Sequence, residues 1–373
     1  MRLGVPRETR DQEFRVGMVP DGVRALVSQG HEVLVERGAG QGSGLPDEAY
    51  ARAGARLVGV EEAWSSPDLI VKVKDPAADE VRRMRPGQAL FTYLHLAASK
   101  PLTEQLLAAG VVAIAYETIQ HPDGTFPVLA PMSEVAGRLA VQIGVTLLQK
   151  DRGGKGLLLG GVPGVLRGRV VVIGAGIVGI NAVRVAHALG AEVDVLDVDL
   201  RRLTYLYDIF SGDLNTLFSN AVNLERSVRS ADLVVGAVYV RGRRAPRLVT
   251  REMVAGMAPG SVVVDVAVDQ GGCIETIRPT SHSSPTYVDE GVIHYGVTNM
   301  PGAVPRTSTF ALANVTYAFV ERMAGVGVER AVREDAALAA GVNVWKGALT
   351  CEGVADSLGL PLTPLSEILP RRS

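Results

Sequence analysis

The chain has 373 residues, 47% of them hydrophobic and 21% charged, with a formal net charge of −2. That length predicts two domains rather than one core, and the near-neutral charge excludes a basic field for nucleic acid. The two cysteines, Cys273 and Cys351, make neither a disulfide framework nor a metal-ligand pair, so no metal site is expected.

The opening MRLGVPRETR lacks the apolar core of a signal peptide, and runs such as 157–159 and 262–264 are far too short to span a membrane. A soluble, cytoplasmic protein with no membrane partner is expected. The clusters Arg241 to Arg244 and Arg371-Arg372 read as solvated surface.

Residues 2–5, 31–35, 69–73, 89–93 and 111–115 read as buried strands, with helical spacing at 21–29, 47–53 and 102–109 between them. Such alternation predicts a mostly parallel sheet covered on both faces. Pro131-Met132-Ser133 opens a helix to Lys150 whose stripe is Val135, Leu139, Ile143 and Leu147. A glycine-rich break over 153–164 follows. A second alternating unit then runs from Arg169 to about Asn299, with strands at 170–173, 192–196, 215–218, 233–237 and 261–266. A helix at 308–323 and mostly helix to the end complete the reading. The fold expected is α/β, with two doubly wound Rossmann-like domains. The second, 131–305, is inserted in the first, 1–130 plus 306–373.

The sharpest motif is Gly174-Ala175-Gly176-Ile177-Val178-Gly179. An apolar strand precedes it and a helix begins inside it, so the glycines allow a tight turn and close approach of a pyrophosphate to the helix N-terminus. Asp197, at the end of the next strand, suits the adenosine ribose hydroxyls and opposes a 2′-phosphate, which favours NAD. The Arg201-Arg202 pair argues the other way. Lys72 and Lys74, two apart in one strand, are expected to share a face. They read equally as a ligand group at the carboxyl edge or as edge-strand protection. His95 follows the next strand between two leucines, an environment more typical of a core histidine. Asp269 leaves a strand before Gly271-Gly272, where a turn role is also possible. Arg15 suits a carboxylate clamp but alone reads as surface.

Over nearly the whole chain these segments resemble the alanine dehydrogenase family. The matching stretches include Gly4-Val-Pro-Arg-Glu8, Arg15-Val-Gly-Met-Val-Pro20, Val71-Lys-Val-Lys-Asp-Pro76, Thr92-Tyr-Leu-His-Leu96, Asp269-Gln-Gly-Gly-Cys273 and Asn299-Met-Pro-Gly-Ala-Val-Pro305. The resemblance implies that Arg15 and Lys74 hold the substrate, His95 is the acid/base and Asp269 stands at the reacting carbon. It implies NAD contacts from Ser133, the Gly174–Gly179 turn, Asp197, Arg202, Ser219, Val238, Tyr239, Val266, Val268, Asp269 and Arg278. Val297, Asn299 and Met300 complete that set. Tyr239 and Thr298 depart from the smaller or more apolar residues usual in the family. A cleft between the two domains, a homo-hexamer, and L-alanine, pyruvate and ammonium as reactants are further implications. The NAD-binding subunit of a membrane transhydrogenase is the nearest alternative. An opine-type dehydrogenase acting on saccharopine and a nucleotide-sensing module without turnover are the others.

Overall fold

The computed structural model describes residues 1–238 and 245–369. Tyr239, and the arginine clusters at 241–244 and 371–372, lie outside them. In chain order the strands are β1 (Arg2–Val5), β2 (Glu32–Glu36), β3 (Arg56–Val58), β4 (Leu69–Val71), β5 (Ala89–Thr92) and β6 (Val112–Ala115). Then come β7 (Arg169–Ile173), β8 (Glu192–Asp197), β9 (Asn215–Phe218), β10 (Leu233–Gly236), β11 (Val262–Asp265), β12 (Thr286–Asp289) and β13 (Val292–Tyr295). The last two are β14 (Val342–Trp345) and β15 (Ala348–Leu349). Two compact units result, Met1–Met132 with Val304–Ser373 and Ser133–Ala303.

Both units contain a doubly wound sheet of the same order. The first runs β15-β14-β6-β5-β4-β1-β2-β3, the second β12-β13-β11-β10-β7-β8-β9. In each, six neighbouring strands are parallel and antiparallel pairing is confined to the edge: β14 on β6 with β15 beyond it, and β12 on β13. Parallel strands are covered on both faces and so read as unbroken apolar runs. Leu69, Ile70 and Val71, and likewise Val262, Val263 and Val264, are fully buried. The chain winds in opposite directions from the β1/β4 pair and from the β7/β10 pair. These are the switch points beside which doubly wound sheets bind ligands, at the carboxyl ends of the strands.

The structure departs from the sequence reading in several places. The C-terminal stretch, mostly helix, also holds Val342–Trp345, an unexpected strand that adds to the first sheet with a register shift between Val342 and Val344. The expected strand at 69–73 stops at Val71, so Lys72 and Lys74 lie beyond it and the same-face argument fails. β4 is also interior, between β1 and β5, which removes the edge-protection reading. The short β3, the helices Val60–Ser65 and Ala78–Arg83, and the β12–β13 hairpin were not anticipated.

Two buried carboxylates fix the loops at the carboxyl edges. In the first unit Glu8, just past β1, accepts hydrogen bonds from the Lys72 ammonium, from Val73 N at 2.7 Å and from Lys74 N at 3.4 Å. Lys72 has no solvent exposure, and Glu80 lies 3.7 Å from its Nζ. In the second unit Asp265, also fully buried, accepts from Ala267 N (2.9 Å), Cys273 N (2.8 Å) and Ile274 N (3.2 Å). It thereby clips shut the turn that carries Asp269. Burial pushes the Asp265 carboxyl up to about 6, against the pull of these donors and of Arg247.

Removing one partner of a buried ion pair leaves an uncompensated charge, so Lys72→Met is expected to destabilise the protein by about 3–5 kcal/mol in urea unfolding. A loss below about 1 kcal/mol would show that the pair carries no such strain. For Asp265 the folded pKa lies above the usual carboxyl value, so its stabilising contribution is present at low pH and lost as pH rises through 6. The stability of wild type relative to Asp265→Asn should therefore fall by about 2 kcal/mol between pH 4 and pH 7. A difference that is flat across that range would contradict the assignment.

Candidate functional site

In the first unit the candidate residues sit on loops leaving adjacent strands. β4 ends three residues before Lys74 and β5 three residues before His95. These two exits are tied together: Thr92 Oγ1 donates to Lys74 O at 2.9 Å, and Tyr93 N to Val73 O at 3.2 Å. The segment carrying Arg15 passes the end of β4, where a Cβ on Gly17 would lie 2.5 Å from Val71 O. Only glycine permits that approach.

Arg15 is not a surface residue. It is 2% exposed, and Glu13 holds it by a fork of Nε to Oε1 at 2.7 Å and Nη2 to Oε2 at 2.6 Å. Burial opposes its charge, but the Glu13 bonds outweigh burial and raise its pKa, with Tyr93 and Glu8 contributing in the same direction. His95 also differs from expectation. Its side chain is 50% exposed, so it is no core histidine, and its backbone is left-handed with φ +48°. The Tyr93 ring lies parallel to the imidazole with centroids 5.8 Å apart, and Tyr93 OH donates to Val128 O at 2.8 Å. Lys74 is half-buried. An arginine, a lysine and a histidine at one sheet edge can bind a carboxylate, polarise a carbonyl and move a proton.

In the second unit the glycine motif forms the turn from β7 into the helix Ile177–Ala188. Each glycine meets a different constraint. Gly174 has φ +104° and packs where a Cβ would lie 2.6 Å from Ala237 O and 3.2 Å from Val238 N. A Cβ on Gly179 would overlap Gly174 O, whereas one on Gly176 would meet nothing within 4 Å. That open face over a helix N-terminus is a cradle a phosphate fits. The helix Ala130–Leu147 comes close enough at Gly137 that a Cβ there would overlap Val178 O. Ser133 stands one turn before this approach.

Asp197, buried at the end of β8, closes the cradle. It accepts from Ala175 N at 2.6 Å and Asp199 N at 2.8 Å, and Arg202 Nη1 lies 3.6 Å from it. Ser219 N donates to Asp197 O at 3.0 Å. Arg201 is held by Asp199, at 3.2 Å and 3.1 Å. Val266, Val268 and the exposed Asp269 lie on the short turn after β11. Arg278, stacked over the Tyr287 ring at 4.3 Å, follows, and its carbonyl would lie within reach of a Cβ on Gly296. Val297 comes next after that glycine. Asn299, left-handed at φ +65°, has its carbonyl 3.1 Å from His282 Nε2, and Met300 is buried. The structure therefore gathers the described candidates into two sets. Arg15, Lys74 and His95 belong to the first unit, and the others, apart from Tyr239, to the second.

Sequence reasoning missed Glu117 and Asp265 and gave Glu8 and Glu13 no role. Each is an acid within a few residues of a strand end or of a candidate cation, and no periodicity marks it. Among the described residues, no group of three or more His, Cys, Asp or Glu could hold a metal ion, and no helix is long and apolar enough to cross a membrane.

Residues 4–136 match the family model "Alanine dehydrogenase/PNT, N-terminal domain", and residues 140–352 match the corresponding C-terminal domain. An alanine dehydrogenase of Halomonas elongata is 52% identical over 99% of this chain and all of its own length. A solved L-alanine dehydrogenase superposes with a TM-score of 0.94 at 50% identity, covering 96% of this chain and 99% of its own. A transhydrogenase from Sinorhizobium meliloti gives 0.82 at 28% identity, over 94% of this chain and all of its own. The chain belongs to the alanine dehydrogenase/PNT family.

Proposed function

We propose that the protein is an NAD-dependent L-alanine dehydrogenase, converting L-alanine reversibly to pyruvate and ammonium. The observation that carries this reading is the placement of Arg15, Lys74 and His95 on tied loops at one sheet edge. These side chains match the carboxylate, the carbonyl oxygen and the proton transfers of a 2-amino acid and its 2-oxo product. About 50% identity to alanine dehydrogenases over nearly full length supports it, and the transhydrogenase-subunit alternative has the weaker match.

The Gly174–Gly179 cradle fits NAD, and Asp197 selects it over its 2′-phosphorylated form by charge. Ser133, Arg202, Ser219, Val238, Tyr239, Val266, Val268, Arg278, Val297, Asn299 and Met300 complete the cofactor contacts. NAD supplies the hydride acceptor that takes the hydrogen from alanine Cα. Arg15, held by Glu13 through Nε and Nη2 and with Nη1 3.3 Å from Met132 Sδ, binds the substrate carboxylate. His95 removes a proton from the water that attacks the imino carbon and returns it in the aminating direction. Lys74 polarises the carbonyl oxygen of pyruvate, and Asp269 offsets the positive charge on the intermediate. The part comprising 1–130 and 306–373 thus serves the substrate and the part 131–305 the cofactor. The protein works in the cytoplasm as a homo-hexamer.

The test of function is a cofactor-by-substrate screen that follows NADH or NADPH formation with alanine, serine, glycine, saccharopine and lysine. Turnover with alanine and NAD, and much less with NADP, is expected. Equal efficiency with the two cofactors would remove the argument from Asp197, and saccharopine turnover would replace the substrate. At the residue level, Lys74→Arg keeps the charge but substitutes a wide planar fork for a compact ammonium. It should lower kcat/KM at least tenfold with no change in Tm. Lys72, being buried, is not a matched control. Lys100→Arg, at a 54% exposed side chain, is one and should be neutral. Equal activity of the Lys74 and Lys100 variants would remove Lys74 from the site.

A further inference from the structure

β5 and β6 are parallel neighbours with Thr92 beside Ala115, so the segments leaving them emerge together. One carries His95, the other Glu117. The Glu117 side chain is 15% exposed. Its Oε1 accepts from His95 N at 2.6 Å, and both oxygens lie within reach of Leu94 N, at 3.3 Å and 3.2 Å. These are the N–H groups of the turn in which His95 takes its left-handed backbone. A residue with a Cβ holds that conformation only where its surroundings enforce it.

The same carboxylate faces the imidazole. His95 Nδ1 lies 4.0 Å from Glu117 Oε1, too far for a hydrogen bond but close enough for charge to act. With the Tyr93 ring stacked alongside and Glu117 beside Nδ1, Nε2 is the ring nitrogen left to exchange a proton with a ligand. The Cys351 thiol is held protonated by burial, and Glu117 is among the smaller influences on it, so it brings no competing charge.

We infer that Glu117 is the positioning residue of His95, fixing the loop that presents the imidazole and setting a carboxylate beside its Nδ1. This rests on His95 being the acid/base of the reaction. Glu117 would touch neither substrate nor cofactor and would act only through the histidine, as the buried carboxylate does in carboxylate–histidine catalytic pairs.

Three variants separate the charge from the hydrogen bonds. Glu117→Gln keeps an amide oxygen for the two N–H groups and removes the charge. Glu117→Asp keeps the charge on a shorter arm, and Glu117→Ala removes both. Each is made in the full-length protein and again with His95→Ala, and kcat, KM for alanine and Tm are measured. The Gln variant should keep the wild-type Tm and KM but lose about tenfold or more in kcat, while general acid–base loss in His95→Ala reaches about 10²–10⁴-fold. The Asp variant should lose Tm yet retain more kcat than the Gln variant, and the Ala variant should lose both. With His95→Ala present, Glu117→Gln should change the residual rate less than about twofold, because the two act as a unit. Wild-type kcat in the Gln variant, or an equal fold-loss in both backgrounds, would overturn the inference while leaving the proposed function standing. A loss of less than tenfold in His95→Ala itself would overturn both.

Discussion

The carboxylate of Glu8 holds the switch point of the first sheet. Strand β4 ends at Val71, although Lys72 N still donates to Phe91 O at 3.1 Å, and beyond it the N–H groups of Val73 and Lys74 turn to Glu8. Glu8 accepts both and also binds the Lys72 ammonium. A buried backbone donor without an acceptor is costly, and a buried carboxylate without a counter-charge more so. The requirement therefore runs both ways: burial raises the Glu8 pKa and Lys72 opposes that rise, while Glu8 keeps the Lys74 loop in place. That loop in turn accepts the Thr92 hydroxyl and the Tyr93 N–H, which links Lys74 to the segment bearing His95.

The device recurs at three further strand exits that carry candidate residues. Glu117 accepts the N–H groups of Leu94 and His95. Asp197 accepts those of Ala175 and Asp199, and Asp265 those of Ala267, Cys273 and Ile274. Parallel strands end abruptly at the carboxyl edge, and short loops there must place side chains within tenths of an ångström. A carboxylate accepts several N–H bonds at once, and these are stronger than bonds between neutral groups. One acid can then fix a turn that would otherwise be mobile. In the second unit the glycines do complementary work. Gly174 and Gly179 let backbone meet backbone, while Gly176 leaves room for a ligand.

The repeated α/β winding was legible because interior parallel strands are continuous apolar runs, and the glycine turn because strand, turn, helix and acid followed in order. The identities of Arg15, Lys74, His95 and Asp269 were visible mainly through resemblance to a family. Their environments were not. Taken by itself Arg15 reads as surface, yet it is buried, because its counter-ion Glu13 is only two residues away and looks like ordinary polar sequence. His95 was read as core because leucines flank it, yet those leucines turn inward while the left-handed backbone turns the imidazole out. Lys72 and Lys74 looked equivalent by strand period, but the strand ends before either. Val342–Trp345 was missed because an alanine-rich helix runs directly into it and its partner β6 lies more than 200 residues earlier. Loop acids carry no period, so contacts of long sequence separation reveal them and local pattern does not.

Native-state amide hydrogen exchange tests this account of pinned loops most directly, read at Val73, Leu94, His95, Ala175, Ala267 and Cys273. All six lie outside strands, yet each donates to a buried or largely buried carboxylate. Their exchange should be nearly as slow as that of the neighbouring strand amides, because opening needs the carboxylate to lose its partners. Exchange at these sites as fast as in the exposed 161–167 loop would contradict it.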